Sequence, residues 1–195
     1  MDSREALNLR IRAATEKDQL LGIFFDSSQE NLERMLGPAA AMAVRAEVLG
    51  SRSIVSFFRY PVADLLKLAD LGVQRSKAGT SNYDGSIAEF GRAAVNYFFD
   101  SQAGKMMSFL SGDEPHRLMA SSPSAYKAVT TFGERTYERV GARSGRLICQ
   151  GELLGPAWMQ GVVEQALLKA AKVTARVRVE VKNTPGTDFT VHVEW

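Results

Sequence analysis

The chain has 195 residues, 45% of them hydrophobic and 24% charged, with a net charge of +2. That is enough for one domain with a sizeable core. The basic residues, such as Arg4, Arg34, Arg45 and Arg59, are scattered rather than clustered, so no nucleic-acid partner is expected. No stretch approaches the roughly 20 apolar residues that span a bilayer. The opening Met-Asp-Ser-Arg-Glu carries no apolar leader. A single cysteine, Cys149, excludes an internal disulfide, and a cytoplasmic location is expected.

Residues 1–17 are polar and read as a flexible N-terminal segment. An apolar run, Gln-Leu-Leu-Gly-Ile-Phe-Phe, leads to Asp26 or Ser27 as the cap of a helix with Leu32, Met35 and Leu36 inward. Gly37-Pro38 ends it and starts the next, which stops near Gly50. Ile54 to Tyr60 is apolar, and Pro61 opens a helix with Val62, Leu65, Leu66 and Ala69 at helical spacing. Ala78 to Gly85 is loop-like. Ile87, Phe90, Gly91, Ala94 and Phe98 form the next inner stripe. Gly91 inside a helix costs about 1 kcal/mol against alanine, so a close approach by another helix is expected there.

Met106, Met107 and Leu110 follow Gly104. Two short helices are predicted next, one opened by Asp113 and Pro115, the other by Ser122-Pro123 with Tyr126, Val129 and Phe132 inward. The pattern then changes period. Tyr137–Val140 and Arg146–Gly151 read as a hairpin, and Gly155-Pro156 starts a helix through Lys172. Val173 to Val181 and Phe189 to Trp195 alternate apolar and polar residues around a Thr-Pro-Gly-Thr turn, the strongest periodic signal in the chain. The expected architecture is α+β: an N-terminal helical half packed on a C-terminal four-stranded antiparallel sheet, with one helix between its two hairpin-like pairs. Residues 18–195 form one domain in this reading, helical over 18–135 and sheet over 136–195.

Chemistry is sparse. His192 lies on the polar side of the last strand beside Glu194, and His116 stands at a helix start with Asp113 and Glu114. One histidine and two acids are a thin metal shell, and helix-start acids answer the helix dipole equally well. Ser121-Ser122 reads as a cap. Glu152 follows a strand as a lone acid with no partner in sight. Glu134, Glu138 and Glu164 read as exposed charges, and Phe24, Phe25, Phe57 and Phe58 as core. No metal, no catalytic residue and no enzymatic activity are expected.

The stretch Ser56-Phe-Phe-Arg-Tyr-Pro-Val-Ala-Asp-Leu-Leu-Lys-Leu, then Phe90-Gly91 through Phe98-Phe99, Gly104, and Leu118 to Gly133 resemble a domain family of unknown function with many myxobacterial paralogues. The order of elements also resembles the haem–nitric-oxide-binding fold and its 4-vinyl-reductase and transport-particle (Bet-type) relatives. There a Phe-Gly helix ending in aromatics precedes a glycine and a Leu-Gly turn, here Tyr97-Phe98-Phe99, Gly104 and Leu110-Ser-Gly112.

In that fold, haem needs an axial histidine and a Tyr-x-Ser-x-Arg motif for its propionates. Counted from Gly104, the axial place falls near Tyr126, about ten residues after His116. The motif would stand at Cys149-Gln-Gly-Glu-Leu-Leu154, which has no Tyr, Ser or Arg, so haem is not expected as a cofactor. The resemblance implies a non-catalytic regulatory or sensory module. It would bind a small apolar ligand or a protein partner between helices and sheet, with Phe90, Tyr97, Met107 and Tyr126 as pocket candidates. The alternative is a dimerising scaffold with a filled core, its helices meeting at Gly91, Ala94 and Ala39–Ala43. A haem-based gas sensor ranks below both.

Overall fold

The computed structural model describes residues 2–76, 81–101, 105 and 113–195. Met107, Gly104, Met106, Leu110 and Gly112 lie outside the described residues. In chain order the elements are α1 (Ser3–Ala13), β1 (Gln19–Leu21), α2 (Ile23–Leu36), α3 (Pro38–Leu49), β2 (Arg59–Pro61) and α4 (Val62–Arg75). There follow α5 (Tyr83–Asp100), α6 (Pro115–Val129), β3 (Glu134–Gly141), β4 (Ser144–Gln150), α7 (Pro156–Ala170), β5 (Arg176–Val181) and β6 (Phe189–Glu194). The fold is mixed α+β: helices fill the first part, and a four-stranded antiparallel sheet of order β3-β4-β6-β5 closes the second. α7 links its two hairpins.

Alternation explains the sheet. Leu147 and Cys149 on β4, and Phe189, Val191 and Val193 on β6, point inward and are buried. Arg146, His192 and Arg178 share one row on the outer face. β1 and β2, single apolar runs in the sequence, pair antiparallel as a separate two-stranded sheet. Gly37-Pro38 separates α2 from α3, and Gly50 ends α3, as their backbone chemistry dictates. α2 starts earlier than its polar residues suggest: Gly22 is its cap, and Asp26 sits inside the first turn, accepting from Ser56 Oγ.

Three expectations fail for physical reasons. The entry segment is not loose, because Ser3–Ala13 forms a helix capped by Asp2. Leu7 is buried, Arg4 pairs with Asp70 of α4, and the Arg10 guanidinium reaches two loop carbonyls. The two short helices before β3 are one, α6, with Pro123 inside it. Pro123 lacks the N–H that would reach the Met119 carbonyl. The Ser122 hydroxyl takes that carbonyl instead, at 2.7 Å, so the serine read as a cap repairs a break. Phe57 and Phe58 are not core: they are 73% and 56% exposed and stack edge to face on each other.

α5 and α7 form the closest helix pair. A Cβ on Gly91 would lie 2.2 Å from the Trp158 carbonyl oxygen, and one on Gly161 would lie 2.0 Å from the Ala88 oxygen. The two glycines let each backbone rest on the other. This contact is internal, and Ala94 is buried too, so neither residue is offered to a second copy. On α3, Ala41 is buried while Ala39, Met42 and Ala43 are exposed. No helix among the described residues is long and apolar enough to cross a membrane.

Candidate functional site

Where α5 and α7 diverge from their glycine contact, they leave a cavity of about 100 Å³ against α6 and the sheet. Ala94 and Phe98 come from α5, Leu118 and Tyr126 from α6, Leu147 from β4 and Val163 from α7. The polar groups in this wall are spoken for. The Tyr126 hydroxyl donates to Met159 Sδ at 3.0 Å, and the Ser122 hydroxyl is held by its own helix. A small site with so few polar partners holds water poorly.

Of the four pocket candidates, Tyr126 lines this cavity. Phe90 does not; it is wholly buried and stacks on Trp158 at 6.0 Å. Tyr97 is absent from the wall and half-buried; burial raises its pKa, and Asp26 and Glu30 of α2 add to the rise. Met107 falls outside the described residues.

Behind Tyr126 lies what the sequence reading missed. The Arg135 guanidinium carbon sits 3.6 Å from the centre of the Tyr126 ring. Its Nη2 makes an ion pair with Glu152 Oε2, and both side chains are excluded from solvent (1% and 0% exposed). Glu152 Oε1 also accepts from the Leu154 N–H at 2.9 Å. Arg135 Nε and Trp158 Nε1 are buried without hydrogen-bond partners among the described residues. Burial pushes the Tyr126 pKa up and the Arg135 pKa down. Glu152 is therefore no lone acid. The signal was present: alternation carried two residues back from Tyr137 puts Arg135 on the inward face of β3, opposite Cys149. Glu152 turns inward because Gly151 adopts a positive φ of 62° just past β4.

Cys149 is buried beside this pair, and burial pushes its thiol up to about 12 from 9.0. At pH 8 that removes about a thousandfold of its thiolate. Reaction with an aromatic disulfide reagent will accordingly be very slow in the native protein and fast in denaturant; a native rate near that of free cysteine would contradict the burial. The sign for stability follows: the fold keeps this proton where the unfolded chain loses it. This contribution therefore falls as pH rises from about 9 to about 12.

Each histidine has a partner within the protein. His116 is buried; Nδ1 lies 2.5 Å from the Tyr137 hydroxyl and Nε2 2.9 Å from the Ala142 carbonyl. A carbonyl only accepts, so Nε2 carries hydrogen, and in the neutral ring Nδ1 accepts from Tyr137. Its ring meets Trp195 edge-on at 4.7 Å, tying α6 to the hairpin tip and the chain end. Glu114 caps α6 through the His116 and Arg117 N–H groups. His192 pairs with Glu180 at 3.1 Å on the outer sheet face. No group of three or more potential metal ligands occurs among the described residues.

Several solved structures share this fold. An H-NOX protein mutant from K. algicida, in the Fe(II) unliganded form, is 16% identical and superposes with a TM-score of 0.66 over 90% of this chain and 96% of that one. A mutant H-NOX protein from S. oneidensis in the Fe(II) ligation state is 14% identical, with a TM-score of 0.68 over 90% and 95%. A protein studied for modulation of haem redox potential through porphyrin distortion is 12% identical, with a TM-score of 0.66 over 90% and 100%. At such identities the likeness is one of fold. No curated protein matches the chain significantly. The family described as protein of unknown function (DUF2378) matches residues 13–195, and the chain belongs to that family.

Proposed function

We propose that this chain is a sensory or regulatory module, without catalytic work of its own, that holds a very small apolar ligand against Tyr126. The carbon-walled cavity between α5, α6, α7 and the sheet carries this reading. Its volume of about 100 Å³ sets the ligand size. Engineered cavities of about 150 Å³ take up benzene or xenon, so this one suits xenon or a molecule of a few heavy atoms. The H-NOX-like fold supports a sensing role.

The test is a xenon titration followed by methionine-methyl NMR. Met119 and Met159 line the cavity, whereas Met35 and Met42 do not. Saturable shifts are expected for Met119 and Met159 but not for Met35 and Met42, and Ala125→Leu, which fills the space, is expected to abolish them. Shifts that never saturate, or that spread evenly over all methyls, would remove the proposal.

Haem is the second reading, because the structural neighbours include haem proteins. The residues described here do not fit it. Pockets that enclose ligands of drug size run to about 300–1,000 Å³, well above this space. No histidine lines the cavity. Both ring nitrogens of His116 are occupied, and the Tyr126 hydroxyl is held by Met159. The stretch 149–154 supplies a carboxylate, Glu152, and the nearby Arg135 is already neutralised by it. Among the described residues around this cavity, two propionates would find no unpaired cation, a costly burial. These observations support a module that works without haem.

A further inference from the structure

A second cavity, of about 510 Å³, opens between α1, the start of α5, the start of α7 and the β5–β6 hairpin. Arg10 lines it, yet is only 5% exposed. Its Nε donates to the Leu153 carbonyl at 3.1 Å and its Nη1 to the Pro185 carbonyl at 2.8 Å. These bonds fix the guanidinium in a tight slot: a Cβ on Gly155 would fall 2.5 Å from Arg10 Cζ. Nη2 has no hydrogen-bond partner among the described residues, and Arg10 forms no ion pair there.

The same wall holds the first turn of α7. That helix opens at Gly155 without a side-chain cap, and Pro156 and Ala157 line the cavity. Its leading N–H groups and the positive end of its dipole therefore sit beside a buried cation. Two positive features share one wall, and Asp84 on the rim attracts the Arg10 charge without forming an ion pair with it among the described residues. The opposite rim carries Asp2 and Asp84, whose oxygens accept from the Glu5 N–H and the Ser3 hydroxyl.

We infer that this cavity is a second ligand site, built for a small organic carboxylate whose other end donates hydrogen bonds. The carboxylate meets the free edge of the Arg10 guanidinium and the first turn of α7. A single negative charge matches one arginine, whereas a dianion such as phosphate is repelled by Asp2 and Asp84. Those two acids accept from a hydroxyl at the far end, whereas Asn183 and Gln160 on the same wall are already held by Thr187, Asp188 and Glu164. A hydroxycarboxylate satisfies both walls.

The site is separate from the carbon-walled cavity, so it stands or falls independently of xenon uptake. The Arg10 Nε–H resonance, monitored by ¹⁵N NMR, is titrated with sodium glycolate, sodium acetate, inorganic phosphate and sodium chloride at constant ionic strength. The expected result is a saturable shift with glycolate, at least threefold weaker binding of acetate, and no saturable shift with phosphate or chloride. Ala6→Phe fills the cavity while keeping Arg10, and should weaken glycolate at least tenfold. Should that variant not fold, Ala157→Leu fills the same space from α7. No saturation with glycolate, equal shifts with chloride, tighter binding of phosphate, or undiminished binding in the filled variant would each overturn the assignment.

Discussion

Glu152→Ala will destabilise the fold by about 3–5 kcal/mol, the cost of leaving a buried charge without its partner. Arg135 cannot escape to water: its side chain is 1% exposed and is covered by the Tyr126 ring. The Leu154 N–H loses its acceptor as well. The pair itself is a weaker stabiliser than that figure suggests, because desolvating two ions offsets most of their attraction. The double variant Arg135→Met with Glu152→Leu is therefore expected to recover most of the loss. Urea denaturation of the two variants decides it. A single-variant loss below about 1 kcal/mol would show that water reaches the pair, and a double variant as weak as the single one would show that shape rather than charge sets the cost.

Gly91→Ala will also destabilise, although alanine is the better helix former. Helix propensity favours the change by about 1 kcal/mol. Against that, the new Cβ would lie 2.2 Å from the backbone oxygen of Trp158 and 3.1 Å from the Val162 nitrogen. Backbone cannot swing aside as a side-chain tip can, so α5 and α7 must separate, and overpacking of this kind costs about 3 kcal/mol. A net loss of about 2 kcal/mol is expected, read from the shift in denaturation midpoint. Gly161→Ala meets the Ala88 oxygen at 2.0 Å and should behave alike. A neutral or stabilising outcome for either would mean that the two helices are not in backbone contact. Both helices wall the carbon-lined cavity, so the same substitutions should disturb the Met159 methyl.

Much of this architecture was legible because backbone chemistry leaves marks in the sequence. Strict alternation of Val177 and Val179, and of Val191 and Val193, announces two strands with one inward face. Gly37-Pro38 and Gly50 bracket α3 unambiguously. Gly91 inside a helix called for a close neighbour, which α7 supplies.

The misreadings share a cause: side chains acting on distant backbone, which local patterns do not record. Pro123 breaks a helix unless a hydroxyl covers the orphaned carbonyl, and Ser122 does. α1 presents little apolar surface, yet Arg10 holds it to loops more than 140 residues away. Phe57-Phe58 have core composition but stand on the surface. The site was half legible. Tyr126 stands in the cavity wall, whereas Phe90 serves the α5–α7 contact and Tyr97 faces α2. Arg135 escaped notice because β3 begins at Glu134, before its alternation turns apolar at Tyr137.

The most direct measurement is haem reconstitution of the purified protein followed by absorbance. The spectrum of free hemin is expected, with no shifted Soret band and no stoichiometric uptake, because the space is small, both His116 ring nitrogens are engaged and Arg135 already has its carboxylate. A one-to-one complex with a ligated Soret band, lost on Tyr126→Phe substitution, would contradict it.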